Sequence, residues 1–563
     1  MVREHRARTR RRPWRAVVSL VTAFALSGCA GIPDSGPVNP GHPAAGEESL
    51  DFDQVAEGPR TGDSPEQVLR GFLDAASSPQ NNYQIAKSFL TQEFAAQWRP
   101  DAGVTIDTFS HRQLSRVADG SFVLTTTPTA AVTGFGQYEP TADTPVSLQY
   151  ALVRAGGEWR ISAAPSGLVI DAEDFARAFT PHTLRFFDPT YNYSVPDVRW
   201  FAGRDSAQTS IVRALLAGPA DWLAPGVATA FPAGARLEPD AVPIQDEAAE
   251  VAIDTASTAD PLTVSRMRFQ LRESLASVRS IQSVRFAVNG VVRSETPVEP
   301  ASNPRVDSRQ AAYDGVALGF LPTDAPGKLG PIAALKLNPE LQPAAAAVSA
   351  DVATAAVLQA DGVVRITPSG SRPVDARPGL IAPSLDRYGV IWTVPRNAPG
   401  KVRATTTAGT SIDLAAPWAG SAITSLEVSR DGTRVLALLA DGNRSVLNVA
   451  AITRRDDGAP IALGTASQVV AQSTAGPVGA VWLDGVTIAT LTTTADGPRI
   501  SICTVGGEVQ TQAAPPDAVA LSGGNGVREL RVLTRTGAVV TRSGLTWQGG
   551  ATGIRFLVTQ APA

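Results

Sequence analysis

Apolar positions along the chain fall into successive regimes, each with its own period. Between residues 64 and 98 the period is helical: Val68, Leu69, Phe72 and Leu73 share one face, and Ile85, Phe89, Leu90, Phe94 and Trp98 form a second stripe. The first stripe opens on Ser64-Pro65-Glu66-Gln67. Ser can cap, Pro fits the first turn and Gln can reach back to the cap amide, so a helix is predicted from residue 65. After Arg99-Pro100 the alternation shifts to strands over Ser121 to Thr126, Val146 to Val153 and Gly157 to Ile161. Helices followed by an antiparallel sheet predict an α+β domain over 63–180.

From 190 to 297 helix and strand alternate, which predicts a second α+β domain. Ile211 to Ala217 reads as a short amphipathic helix stopped by Gly218-Pro219, Ala249 to Asp254 as a strand, Met267 to Val278 as a helix, and Ser283 to Gly290 as a last strand. Residues 298–342, rich in Pro and Gly, read as an extended linker. Over 343–563 turn signals then recur. Asp351, Asp386, Asp431, Asp484 and Asn525 each open a turn followed by β-prone residues, at separations of 35, 45, 53 and 41 residues. A second turn follows each: Asp361-Gly362, Asn397 to Gly400, Asp441-Gly442, Asp496-Gly497 and Thr536-Gly537. Two turns per repeat require at least three strands, and a period of about 40–45 residues is that of a β-propeller blade. Five blades are visible this way, with a sixth if flanking segments complete one. The propeller is expected to fold separately beyond its linker.

The apolar run Ala16 to Leu26 is too short for a comfortable bilayer span and follows seven Arg within residues 1–15. That pattern predicts an export signal over 1–28. Leu26-Ser27-Gly28-Cys29 resembles the bacterial lipobox. The resemblance implies diacylglycerol transfer to the Cys29 sulfur, cleavage before Cys29, and retention of the mature chain at the outer face of the plasma membrane. Each buried CH₂ of an acyl chain contributes about 0.8 kcal/mol, and two chains hold a protein where one does not. Residues 29–62, with Pro, Gly and acids and no sustained period, read as a tether.

Losing residues 1–28 moves the net charge from −4 to −10. So acidic a chain has no electrostatic footprint for nucleic acid. Cys503 is then the one remaining thiol, which excludes an internal disulfide. His42, His111 and His182 are far apart and without acid or Cys at ligand spacing, so no metal site and no cofactor are expected. Asp107, Asp119 and His111 in the first domain lack a partner at a telling spacing, and no catalytic residue is assigned. The rival class is a protein that binds or hydrolyses wall polysaccharide. It would draw on Asp386, Asp431 or Asp484, or on Trp418 and Trp547 as sugar platforms. Those Asp lie in turns, where the side chain bonds its own backbone, and Trp392 and Trp482 fall in apolar strand patterns.

The order of the first domain, helices and then a sheet, resembles the NTF2-like or cystatin-like cone. The Leu-Leu-Ala-Gly-Pro helix end at 215–219, Phe231-Pro232 and the strand 284–290 resemble the GerMN domain. Lipobox, acidic tether, cone, GerMN-like domain and propeller, in that order, resemble the actinobacterial LpqB lipoproteins over nearly the whole chain. That resemblance implies a non-enzymatic partner of a two-component system, contacting the extracellular domain of the sensor histidine kinase MtrB. It further implies modulation of signalling to the regulator MtrA, with consequences for cell-wall homeostasis and division.

Overall fold

The computed structural model describes residues 56–562, apart from 142–143, 204–205, 257–259, 323–328, 339, 341, 474 and 545. The predicted leader, Cys29 and most of the tether lie outside the described residues. Residue 56 onward forms one compact unit.

The first domain opens as its pattern predicts. The helix Pro65–Ala75 carries a complete capping box: the Gln67 amide donates to Ser64 Oγ at 3.3 Å and the Ser64 amide to Gln67 Oε1 at 2.9 Å. Val68, Leu69, Phe72 and Leu73 turn inward. Phe72 meets Trp98 edge to face at 5.2 Å. Below the helices lie two four-stranded sheets. One is the predicted antiparallel meander, Gln113–Ala118, Ser121–Thr126, Val146–Ala155 and Glu158–Ala163. The other, Tyr138–Pro140, Ala130–Thr133, Gly103–Asp107 and Leu168–Asp171, includes one parallel pairing, of 103–107 with 168–171.

The second domain begins with a long hairpin, Phe179–Phe187 against Tyr193–Ala202. The hairpin is shared between cores, so the chain has no linker at this point. Leu184, Phe186 and Phe187 pack in the second core, whereas Phe179, Trp200 and Ala202 close the first. The helix Ala207–Ala217 ends at Gly218, and Ala248–Asp254 runs parallel to Ser283–Val288 through the crossover helix Pro261–Leu275. Asp260 caps that helix, accepting from the Leu262 amide at 2.9 Å and the Thr263 amide at 3.0 Å. Asn289 and Gly290, with φ of 49° and 74°, form the two-residue turn into the edge strand Val291–Arg293. A positive φ at both central positions is what makes Asn-Gly the favoured pair there.

The rest is a β-propeller of six sheets. Five blades span 345–375, 384–415, 422–473, 476–513 and 518–549, each built from consecutive strands. The sixth closes the ring with strands from both ends of this region. Phe556–Leu557 pairs with Ala311–Tyr313, which continues to Leu318–Phe320 and Gly330–Pro331. Thr559–Gln560 then pairs parallel with Ala345–Val348 of the first blade. The innermost strands touch in ring order, and the last returns to the first. This corrects the expectation of a linker over 298–342. Its Pro- and Gly-rich stretch contains three strands of a blade, because the partner strand that makes them a sheet lies more than two hundred residues later.

Candidate functional site

The three domains meet on the strand Tyr193–Ala202, nine of whose ten residues are buried. A strand covered on both faces loses the usual alternation, and here the cover comes from different domains. Arg199, 1% exposed, donates Nε to Asp197 Oδ1 at 3.0 Å and Nη2 to Oδ2 at 2.7 Å. Its Nη1 donates to the Phe135 carbonyl of the first domain at 2.9 Å, and the Ala220 amide closes the network on Asp197 at 3.0 Å. Trp200 links the outer pair: its amide donates to the Gly136 carbonyl at 2.8 Å, and its indole Nε1 to the Gly506 carbonyl of the propeller at 2.9 Å. Gly506 has φ of 77°, and a Cβ there would meet the Val198 carbonyl at 3.0 Å. The approach therefore requires glycine.

Further contacts dock the second domain on the propeller. Trp222 packs against the core around Leu436, Leu447 and Val449. Thr453 Oγ1 donates to the Pro225 carbonyl at 3.1 Å. The Arg387 guanidinium lies 3.5 Å from the Tyr193 ring centre and 3.8 Å from Asp188. Asn525, named above as a turn residue, also clasps the segment entering the propeller: Val306 N donates to its Oδ1 and its Nδ2 to the Val306 carbonyl, both at 3.0 Å.

A second feature is the solvent face of the second domain's sheet. Register places Ala252 beside Ala287 and Ala287 beside Val292, an apolar row across three strands. Val291 and Val292 are 58% and 79% exposed. The row floors a groove of about 390 Å³ flanked by Pro239, Pro243 and the Arg285–Glu250 ion pair, 2.6 Å long. Neither this row nor Arg199 and Trp200 was singled out in the sequence. The legible signal was Asn289-Gly290 followed by two Val, which marks a hairpin whose second strand opens with an apolar residue on each face.

The three propeller Asp side chains weighed above are engaged in holding turns. Asp386 accepts from the Tyr388 and Val390 amides at 2.9 and 3.0 Å, from Trp392 Nε1 at 2.9 Å and from Arg454 at 2.7 Å. Asp484 accepts from the Val486 and Thr487 amides at 2.9 and 2.8 Å. Asp431 accepts from Ser429 Oγ at 2.7 Å, from the Thr433 amide at 2.9 Å and from Arg434. Burial alone would raise Asp431, but Arg434 and the hydroxyl donors outweigh it and hold the carboxyl below its ordinary range. In the channel along the propeller axis, Glu427 is surrounded by protein while keeping a little solvent contact. Burial, only partly offset by Arg430, pushes it up to about 8. Asp107 is likewise structural, bound by Arg112 at 2.8 Å and Thr126 Oγ1 at 2.7 Å, whereas Asp119 is an exposed partner of Arg116.

Cys503 is fully buried and burial pushes its thiol up to about 12. Trp392 and Trp482 are buried as expected. Trp418 is not the exposed platform proposed for it: it is buried, and its Nε1 donates to the Pro399 carbonyl at 3.1 Å. Among the described residues no group of three His, Cys, Asp or Glu side chains is placed to hold a metal ion, and no helix is long and apolar enough to cross a membrane.

Three family models match the chain in succession. They are the N-terminal domain of lipoprotein LpqB over residues 58–176, the sporulation and spore germination family over 183–293, and the LpqB beta-propeller domain over 326–555. The chain is 28% identical to lipoprotein LpqB of Nocardia farcinica over 82% of both proteins. It is 28% identical to that of Streptomyces coelicolor over 78% of this chain and 79% of the relative. With lipoprotein LpqB of Cutibacterium acnes it shares 30% identity over 50% of this chain, which spans about half (48%) of that relative's length. Among solved structures, TolB from Acinetobacter baumannii aligns over 79% of this chain and 81% of its own at 11% identity, with a TM-score of 0.34, too slight a likeness to argue from.

Proposed function

This chain belongs to the LpqB lipoprotein family, and from that premise we propose that it is held by acyl chains on Cys29 at the outer face of the cytoplasmic membrane. There it works by contact and not by turnover: it binds the extracellular domain of the sensor kinase MtrB and modulates the MtrA/MtrB system, and with it cell-wall homeostasis and division. The observation that carries the contact reading is the solvent-facing apolar row of half-buried Ala252 and Ala287 and exposed Val292, which ends at the sheet's edge strand. An edge with two adjacent exposed Val is an aggregation hazard unless something covers it. Confinement to one membrane surface raises the effective concentration of lipoprotein and kinase together, so a modest interface suffices. The engagement of Asp386, Asp431 and Asp484 in their own turns supports the same reading over a glycan hydrolase, and burial of Trp418 weighs against a sugar-stacking surface.

The test is binding of the lipidated protein to the kinase ectodomain in nanodiscs. Val292→Glu is expected to weaken it about tenfold or more, as loss of a central apolar contact does, with the melting temperature unchanged because the side chain is exposed. Unaltered affinity would remove this face from the account, and absence of any binding by the unsubstituted protein would refute the contact reading.

A further inference from the structure

At the junction of the three domains lies a cleft of about 320 Å³ whose walls come from all three. The strand Tyr138–Pro140 of the first domain forms one side, the Ala220 to Trp222 turn of the second domain another, and Thr465 to Ser467 with Val505 and Gly506 of the propeller the third. Trp222 and Tyr138 supply aromatic surface. The lining carries carboxylates and no Lys or Arg. Asp197, in the floor, is spent on Arg199. Glu139 and Asp221, at the rim, are exposed, and no ion pair or hydrogen bond is made by either side chain among the described residues. Glu508, two residues beyond Gly506 in the same propeller turn, is equally unpaired and lies near enough to help burial push the Tyr138 phenol up to about 12. The first two domains thus each contribute one unpaired carboxylate to the wall of a single aromatic-lined cavity, and the propeller sets a third, Glu508, beside it.

We infer that this cleft is a binding site for an organic cation, an ammonium or guanidinium carried on a few methylenes. The charged head is met by Glu139, Asp221 and Glu508, and the stem lies against Trp222 and Tyr138. Carboxylates aligned on one cavity repel one another when it holds only solvent, and a guanidinium or ammonium relieves that repulsion while its face or stem gains cation–π and apolar contact. A volume of about 320 Å³ accommodates an arginine-sized side chain. An anion would meet three like charges, and a bare divalent ion would leave most of the cavity and its aromatic walls unused. Because the site exists only where the three domains are docked, occupancy stabilises their docked arrangement by mass action. The inference does not depend on the kinase reading.

The experiment uses the whole ectodomain from residue 30 onward. Agmatine, N-acetyl-arginine amide and a short Arg-containing peptide are the probes, and N-acetyl-norleucine amide is the neutral control with the same stem. Calorimetric titration is expected to show saturable binding of a guanidinium probe, weakening with added salt, together with a rise in melting temperature that the norleucine amide does not produce. Agmatine binding as well as the peptide assigns the site to a free cation, and binding of the peptide alone to a basic side chain on another protein. Both support the proposal. The double variant Glu139→Gln, Asp221→Asn alters only exposed carboxylates and should melt unchanged without ligand, yet bind about tenfold more weakly. Equal binding by the double variant, an equal response to the norleucine amide, or no saturable binding of any guanidinium probe would overturn the proposal.

Discussion

Asp431 illustrates how this chain uses a carboxylate. It braces a buried turn through Ser429, Thr433 and Arg434, so truncation strands a buried guanidinium. Asp431→Ala is expected to destabilise the propeller by about 3–5 kcal/mol, the cost of breaking a buried pair from one side, measured by urea denaturation. The pH dependence follows from the same contacts. Asp431 and Asp375 are both held below their ordinary 3.8, against the pull of burial, by Arg434 and Arg377 and by hydroxyl donors. The unfolded chain therefore binds protons that the folded one refuses. The stability these groups contribute is full above about pH 4 and is lost as pH falls through their folded values. Glu427 has the opposite sign. Its folded value of about 8 exceeds the ordinary 4.5, so stability declines as pH rises between the two, and Glu427→Gln should abolish that decline in a pH series of melting curves. That Asp431 is a turn residue was legible, since Asp before Gly bonds its own backbone; Asp375, at the end of the strand Gly370–Asp375, carried no such signal. That Glu427 faces the channel was not legible, because a strand residue's environment depends on blades far away in sequence. At Cys29, Ser substitution is expected to abolish labelling by a tagged fatty acid, since a hydroxyl cannot form the thioether; unchanged labelling would refute the anchor.

Among elements, the propeller shows why a repeat can be legible in five places and hidden in the sixth. Asp351, Asp386, Asp431, Asp484 and Asn525 all lie in the turn after the innermost strand of their blade, and the second turn signals all fall between the next two strands. In the closing blade the first of these turns does not exist, because its innermost strand, Phe556–Leu557, and the next, Ala311–Tyr313, come from opposite ends of the region. The second turn is present as Asp314-Gly315, with Asp314 Oδ1 accepting from the Val316 and Ala317 amides at 2.8 Å. It was read as linker, since Pro and Gly surround it. A chain started at Pro343 therefore lacks three strands of a blade and leaves the first and fifth blades with open faces. It is expected to aggregate or stay unfolded, whereas one started near residue 303 should give a cooperatively melting β protein. Circular dichroism and calorimetry of the two distinguish these outcomes. The helix cap at Ser64 was legible for the converse reason, since its partner lies three residues away; the Asp260 cap and the Asn289-Gly290 turn are equally local, and they correct a helix started at Met267 and a strand carried on to Gly290.

The whole molecule departs most from the reading of separate domains on linkers. The shared hairpin, the Arg199–Asp197 network and the Trp200–Gly506 bond join all three, so residues 56–562 should melt in one calorimetric transition. Arg199→Ala, which leaves Asp197 buried and unpaired, should split that transition or lower its midpoint steeply. None of this was visible in sequence, because a strand buried by three domains shows only a run of mixed residues with no period. The consequence for function is that the second domain, and its sheet with it, is held in a defined position by its docking on the propeller through Trp222, Pro225 and Tyr193. The central claim, action by contact with the sensor kinase through that sheet, is tested most directly by photo-crosslinking from residue 292 in intact cells carrying the lipidated protein. The account predicts a crosslink to the extracellular domain of MtrB, lost when Cys29→Ser releases the protein from the membrane. A crosslink to other material alone, with the kinase never captured, would contradict it.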